Sequence, residues 1–299
     1  MRKSEIKNTI ISIKGRRKTN EDSAEIKIFE VNRKPVVIVA VADGMGGYSG
    51  GKISSEKAVK IFCEEMEKVI QESTQFKDIR IAIREVYQQI NKEIYRISQT
   101  NEDLKNMGTT LTTMVMVGDE FLIANVGDSR AYALREENIV QITEDHNAIT
   151  DALKEGYLSY QELKNYPYKY ALTRNLGDEN EVEVDIFPEE GCYRASPGLI
   201  ITLLTDGITS KVTELEIYER LISNENLNKA SEEIVSLALA KGSDDNITIA
   251  AVEVGEIRRN EALVKKGKPG KKGRKRKFIL FSGIFILVII LMVLIFILK

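Results

Sequence analysis

At 299 residues and 43% apolar side chains, the chain can bury the core of one large domain or of two small ones. Two cysteines, Cys63 and Cys192, cannot make a disulfide framework and fit a reducing compartment, and the single histidine, His146, excludes a His-rich zinc site. The net charge of -2 conceals an asymmetry: eleven Lys/Arg stand against one acid, Glu261, between Ile257 and Lys277, and without that segment and Lys299 the body holds 31 basic and 44 acidic residues, which argues against nucleic-acid binding.

The first strands are expected at Asn8–Ile13 and Ala24–Phe29, joined by the polar loop Gly15–Ser23 with a basic and an acidic half. An unbroken apolar run, Val36 to Ala42, is too short to span a bilayer and rich in β-branched residues, so it reads as a buried strand. It ends in Asp43-Gly44-Met45-Gly46-Gly47, which suits either a capped tight turn or a ligand site approached closely by backbone. Two amphipathic helices follow. Val59, Phe62, Met66, Val69 and Ile70 share a face of the first, and Ile79, Ile83, Val86, Ile90, Ile94 and Ile97 share a face of the second. Both are packing elements. Short strands at Thr109–Val117, Glu120–Val126, Ser129–Leu134 and Ile139–Ile142, with short connections, predict an antiparallel meander. Residues 145–174 turn polar and Tyr-rich, as a surface excursion with short helical pieces does.

The run Gly198 to Thr205, followed by Asp206-Gly207, repeats the opening design of buried strand, Asp and Gly. Two helices at Glu214–Ser223 and Asn228–Ala240 lead to Gly242-Ser243-Asp244-Asp245-Asn246 and a last strand, Ile247–Val254. Beyond it lies a Gly/Lys/Arg linker, then 21 uncharged residues, Phe278 to Leu298. As a helix they extend about 30 Å, the thickness of a bilayer core. The cluster Arg274-Lys275-Arg276-Lys277 precedes them, so the positive-inside rule keeps the main domain in the cytoplasm and the basic residues attract anionic lipid.

Asp43, Asp128, Asp206 and Asp245 each stand at a strand end beside Gly or Asn, with Glu21-Asp22 in the first loop. Carboxylates gathered together repel unless a cation lies between them. Oxygen donors without His or Cys suit Mg²⁺ or Mn²⁺. The pattern therefore points to a two-metal site.

Six motifs occur in order: Arg17-Lys18-Thr19-Asn20-Glu21-Asp22, Asp43-Gly44-Met45-Gly46-Gly47, Gly108-Thr109-Thr110-Leu111, Asn125-Val126-Gly127-Asp128-Ser129-Arg130, Thr205-Asp206-Gly207 and Asp245-Asn246-Ile247-Thr248. Together they resemble the motif series of bacterial PPM-type (type 2C) metal-dependent serine/threonine protein phosphatases, over roughly Lys7 to Val254. The resemblance implies an α+β fold, a four-layer α-β-β-α sandwich of two antiparallel sheets flanked by helix pairs. The domain would occupy residues 1–255, with a basic juxtamembrane linker at 256–277 and a transmembrane helix at 278–298. It further implies hydrolysis of phosphoserine and phosphothreonine in proteins by a water bridging two Mn²⁺ or Mg²⁺ ions. Asp43 would bridge the ions, the Gly44 carbonyl would bind one, and Asp206 and Asp245 would complete the other's shell. Asp22 would support the water and Arg17 would receive the phosphate. Thr109 and Thr110 would pack or support the strand.

Three positions depart from the family pattern. Tyr48 and Met45 stand where relatives carry His, so no general acid is identified and water is left to serve. His146 is expected to be structural. Ser210 replaces an acid four residues after Asp206, so a third ion held by Asp128 would bind weakly. The expected enzyme is a monomer tethered to the membrane that opposes a cognate Ser/Thr kinase acting on phosphoproteins, and it binds no nucleic acid. The alternatives are a catalytically weak phosphoprotein-binding adaptor and a phosphatase dedicated to one anti-sigma-type regulator.

Overall fold

A computed structural model describes residues 5–46, 49–100, 102–135, 138–156, 171–224 and 226–255. Twelve strands and six α-helices are arranged in chain order among them. They are β1 (Ile6–Ile13), β2 (Asp22–Val31), β3 (Lys34–Met45), α1 (Gly50–Glu72), α2 (Phe76–Thr100), β4 (Gly108–Thr109), β5 (Leu111–Val117), β6 (Glu120–Val126), β7 (Arg130–Arg135) and β8 (Asn138–Gln141). There follow α3 (Ala148–Lys154), β9 (Asp185–Phe187), β10 (Tyr193–Arg194), β11 (Leu199–Leu204), α4 (Asp206–Thr209), α5 (Glu214–Ser223), α6 (Leu227–Ala240) and β12 (Ile247–Val254). All strand pairs are antiparallel.

The apolar run of β3 divides by parity. Val36, Ile38, Ala40 and Ala42 face α1 and α2, while Val37, Val39 and Val41 face the other sheet. Successive side chains of a strand point to opposite faces, so a strand covered on both sides reads as continuous apolar sequence even in an antiparallel sheet. One sheet runs β1-β12-β11-β7-β8 and the other β10-β6-β5-β3-β2, with β4 beside β3 and β9 beside β6. Helices α5 and α6 cover the first sheet through Ile217, Leu221, Leu227, Ile234 and Ala238. Helices α1 and α2 cover the second, where Phe62 and Tyr87 meet edge to face with centroids 5.7 Å apart. The layers are thus helix pair, sheet, sheet, helix pair.

Two sequence expectations change. The four central strands do not form one meander. β5 pairs with β6 in one sheet and β7 with β8 in the other, so the chain crosses between sheets at Gly127-Asp128. A short connection does not distinguish a hairpin from a crossover when both sheets are antiparallel. The strand expected at Thr109–Val117 breaks at Thr110, its first two residues pairing with the end of β3. The expected transmembrane helix at 278–298 and the linker at 256–277 lie outside the described residues. Among the described residues, no helix is long and apolar enough to cross a membrane.

Phe62 is fully buried between α1, α2 and the sheet. Phe62→Ala is expected to cost about 3–5 kcal/mol, read from the denaturant midpoint at fixed Mn²⁺. Leu215→Ala, at a side chain 64% exposed, should shift it by no more than about 0.5 kcal/mol.

Candidate metal centre and its cleft

The layer between the sheets is apolar along most of its length: Ala24, Ile26 and Ile28 of β2, Val37, Val39 and Val41 of β3, Leu199, Ile201 and Leu203 of β11, and Ala250, Val252 and Val254 of β12. A step further along these alternating series come Asp22, Asp43, Thr205 and Thr248. β3 ends where β2 begins, and β11 ends where β12 begins. The period of two therefore delivers all four to one end of the sandwich.

Asp22 and Asp43 are direct partners across the β2–β3 ladder, where like charges repel. Asp22 is buried and its Oδ2 accepts hydrogen bonds from Thr248 Oγ1 at 2.6 Å and Thr205 Oγ1 at 3.0 Å, both on the opposite sheet. Its Oδ1 has no hydrogen-bond partner among the described residues. The Asp43 backbone is fixed by its neighbours: its N–H donates to Thr110 Oγ1 at 2.9 Å, and its carbonyl accepts from Thr110 N–H and Thr109 Oγ1, each at 2.9 Å. Thr110 Oγ1 also meets Ser129 Oγ at 2.9 Å, which ties the end of β3 to the crossover that carries Asp128. Gly44 has to be glycine, since a Cβ there would lie 2.0 Å from the Gly51 carbonyl oxygen at the start of α1. Gly207 is equally confined, 1.8 Å from the Asn246 carbonyl oxygen, which seats Asp206 at the first position of α4 against the turn bearing Asp245.

Asp43, Asp128, Asp206 and Asp245 line an open cleft of 810 Å³ together with Gly44, Glu21, Arg17 and Lys18. Asp22 lies behind this wall. Arg17, 56% exposed at the mouth, spans the Asp244 carbonyl (Nε, 2.9 Å) and Asp245 Oδ2 (Nη2, 2.9 Å). A second groove, of 900 Å³, runs along the outer side of α1 and α2. Among its charges, Arg96 pairs with Glu93.

The electrostatics of the cleft are those of buried carboxyl groups crowded together. Burial first, then Asp22, Asp206, Asp245 and Asp128, hold the Asp43 carboxyl well above the usual range. Burial raises Asp22 to about 7 and Asp128 to about 7, the latter with Asp206 and Asp145 as the next causes. Asp206 is raised by burial and Asp245, and its contact with Asp43 and the nearby Arg17 oppose the rise. A hydrogen bond between two carboxyl groups requires one of them to hold a proton. Asp206 Oδ1 is buried without a hydrogen-bond partner among the described residues. Orphaned oxygens, mutual repulsion and an all-oxygen donor set fit divalent hard cations. Among the described residues, no three His, Cys, Asp or Glu side chains already close on one point. The carboxylates line the cleft without closing on one point, so backbone oxygen and solvent would have to complete any shell. That suits Mg²⁺ and Mn²⁺, with Mg²⁺ characteristically retaining several waters.

Several supporting residues carry no role from sequence alone. Thr205 and Thr248 hold Asp22. Asn246 laces the first loop to the β12 turn: its Nδ2 donates to the Lys14 and Thr19 carbonyls at 3.0 and 2.8 Å, and its Oδ1 accepts the Glu21 N–H at 2.9 Å. Glu21 itself lines the cleft. The available signal was parity: hydroxyls at the inward phase of otherwise apolar strands. His146 is buried away from the cleft. Its Nδ1 accepts the Gly127 N–H at 3.0 Å and its Nε2 meets Asp185 Oδ2 at 3.1 Å. Met45 lines the cleft and its sulfur makes a long contact with Asn175 Nδ2, at 3.7 Å, and Tyr48 lies outside the described residues. Ser210 caps the end of α4.

The family profile described as Protein phosphatase 2C matches residues 14–245. A serine/threonine phosphatase stp of Listeria monocytogenes is 38% identical over 234 residues, 78% of this chain and 90% of that one. Protein phosphatase PhpP of Streptococcus pneumoniae is 31% identical over 230 residues, 76% and 89% of the two chains. Among solved structures, the serine/threonine phosphatase of S. agalactiae superposes with a TM-score of 0.73 at 30% identity, covering 83% of this chain and 99% of that one. The catalytic domain of the phosphatase PstP, solved with two manganese ions, gives a TM-score of 0.67 at 25% identity, covering 84% and 99%.

The raised carboxyls set a pH dependence. In the unfolded chain they titrate near 3.8, so between that value and about 7 the metal-free fold holds extra protons. Its stability from these groups is full on the acid side and falls as pH rises through about 7. Metal has to displace those protons. The gain in melting temperature on adding saturating Mn²⁺ should therefore grow from pH 5.5 to pH 8, and calorimetry in buffers of different ionisation enthalpy should detect proton release at pH 6. A gain independent of pH would contradict this electrostatic account.

Proposed function

Because this chain belongs to the protein phosphatase 2C family, we propose that Asp43, the Gly44 carbonyl, Asp206 and Asp245 hold its two Mn²⁺ or Mg²⁺ ions and that Arg17 receives the substrate phosphate. The chain is a metal-dependent serine/threonine protein phosphatase. Water cleaves the P–O ester bond of phosphoserine or phosphothreonine, releasing the hydroxyl side chain and inorganic phosphate. The observation that carries the residue assignment is the four carboxylates lining one cleft with Asp22 behind them: burial and then neighbouring carboxylates raise Asp22, Asp43, Asp128 and Asp206, and Asp22 Oδ1 and Asp206 Oδ1 have no hydrogen-bond partner among the described residues.

The bound ions supply Lewis acidity, acidifying water and neutralising phosphoryl oxygens. The chain's own residues do the positioning. Asp22 Oδ2 is occupied by two threonine hydroxyls, which leaves Oδ1 as the single acceptor to orient water. Arg17 exchanges Asp245 for the phosphate, its planar fork matching two phosphate oxygens. Lys18 adds positive charge at the same lip. Met45 itself offers no titratable proton, so the leaving serine or threonine oxygen would take its proton from water. Asp128 with Asp206 would hold a further ion weakly, since Ser210 offers a hydroxyl in place of a carboxylate. Intact Asp43, Asp206 and Asp245 favour an enzyme over a phosphoprotein-binding adaptor, which has no need of all three.

The catalytic domain, residues 1–255, would be joined by the basic linker 256–277 to a membrane span at 278–298. It would act as a monomer in the cytoplasm, opposing a Ser/Thr kinase at the inner face of the membrane. The uncharged 21-residue stretch and the basic cluster before it support this placement.

The full chain in detergent with Mn²⁺ should hydrolyse p-nitrophenyl phosphate and a phosphothreonine peptide, and Asp206→Ala should lose at least about 100-fold in kcat/KM. Equal activity in the variant, or none in either protein, would overturn the assignment. A reporter fused after Lys299 should appear outside the cytoplasm; a cytoplasmic reporter would exclude the single span.

A further inference from the structure

The strap at 175–179 contributes Asn175 and Asp178 to the cleft lining. Between them Leu176 is bound in both directions to Thr109, at 2.9 and 3.0 Å. Gly177, at φ +99°, lies so close to α2 that a Cβ would sit 2.4 Å from the Ile94 side chain. Asn91, fully buried in the middle of α2, then takes hold of the strap twice: Gly177 N–H donates to its Oδ1 at 2.8 Å, and its Nδ2 donates to the Glu179 carbonyl at 2.9 Å. These two bonds straddle Asp178. Asparagine is a poor helix former, and its neighbours on this face, Ile90 and Ile94, show that an apolar side chain packs there. What Asn91 adds is a fixed presentation of residue 178.

Asp178 is exposed, and its carboxylate accepts no hydrogen bond and pairs with no base among the described residues. It comes from a loop outside both sheets, apart from the strand ends that carry the carboxylate ring. A negative group at the rim opposes the incoming phosphate dianion. Its favourable contact is therefore with a different part of the substrate, and that part is cationic.

Resting on the phosphatase function above, we infer that Asp178 is a specificity-determining residue that meets a Lys or Arg flanking the phosphorylated residue, and that Asn91 is the positioning residue presenting it. The substrates favoured are phosphoproteins with basic residues beside the phosphosite.

The test uses the full chain in detergent with Mn²⁺. The substrates are two phosphothreonine peptides, identical except for Lys or Glu on both sides of the phosphothreonine, and p-nitrophenyl phosphate. The wild type should favour the Lys peptide in kcat/KM. Asp178→Asn should reduce that preference about threefold and Asp178→Lys about tenfold, both through KM, the scale of exposed ion pairs. Asn91→Ala should erode the same preference, with a larger loss on the Lys peptide than on p-nitrophenyl phosphate. A preference unmoved by Asp178→Lys in an active enzyme would overturn the assignment of Asp178. An equal loss on all three substrates in Asn91→Ala would overturn the positioning role. A wild type inactive on p-nitrophenyl phosphate would remove the function on which both rest.

Discussion

Placing Asp22, Asp43, Asp128, Asp206 and Asp245 together at one end of a sandwich costs free energy that the protein alone does not recover. Burial raises Asp22, Asp43, Asp128 and Asp206, and the neighbouring carboxylates raise them further. The surrounding structure is arranged to hold them there. Threonine hydroxyls reach Asp22 from the opposite sheet. Thr109 and Thr110 occupy every backbone group of Asp43, so its carboxylate is free to face the cleft. Glycines at 44 and 207 let α1 and the β12 turn pack against the strand ends without a side chain intervening. The fold contributes the spacing of the negative charges, and a divalent cation contributes the attraction that makes the spacing favourable.

Much of this follows from sequence periodicity. The apolar run of β3 identified a buried strand, and the repeated strand-Asp-Gly design at Asp43 and Asp206 marked two equivalent ends. The amphipathic helices at Val59–Ile70 and Ile79–Ile97 located the cover of one sheet. Three features were not legible, each for a physical reason. The exchange between sheets at Gly127 depends on which partner β7 finds, and that information lies in β11, about seventy residues away. The short strands β9 and β10 carry little pattern of their own and exist as additions to β6. Parity points Thr205 and Thr248 inward, but their meeting with Asp22 across the sheets, and the ties of Asn246 to the backbone of Lys14, Thr19 and Glu21, depend on partners far away in the chain.

Arg17 shows the same limit differently. Its residue type suggests a phosphate ligand. In the structure it is engaged with the Asp244–Asp245 turn, so its availability is tied to the state of Asp245. On the assignment proposed above, cation binding and phosphate binding would share a group, since a cation held by Asp245 would compete with the guanidinium for it. His146 has a comparable indirect place. It grips the Gly127 peptide from both sides, through Nδ1 and through its own N–H to the Gly127 carbonyl at 3.1 Å, and so fixes the turn that brings Asp128 to the cleft.

The crossover between β6 and β7 also governs which changes of chain length the fold can absorb. Strand pleating means that one residue added or removed at 127–129 would invert every side chain of β7, driving Tyr132 into the layer between the sheets and turning Ala131 outward, while carrying Asp128 off the cleft. The turn at Gly118-Asp119 lies at the far end of β5 and β6 and joins two strands of the same sheet, so a longer loop there disturbs neither register nor site. Along this chain, insertions and deletions should therefore accumulate at the end of the sandwich away from the carboxylates, and the connections at the acidic end should keep a fixed length even where their residues vary.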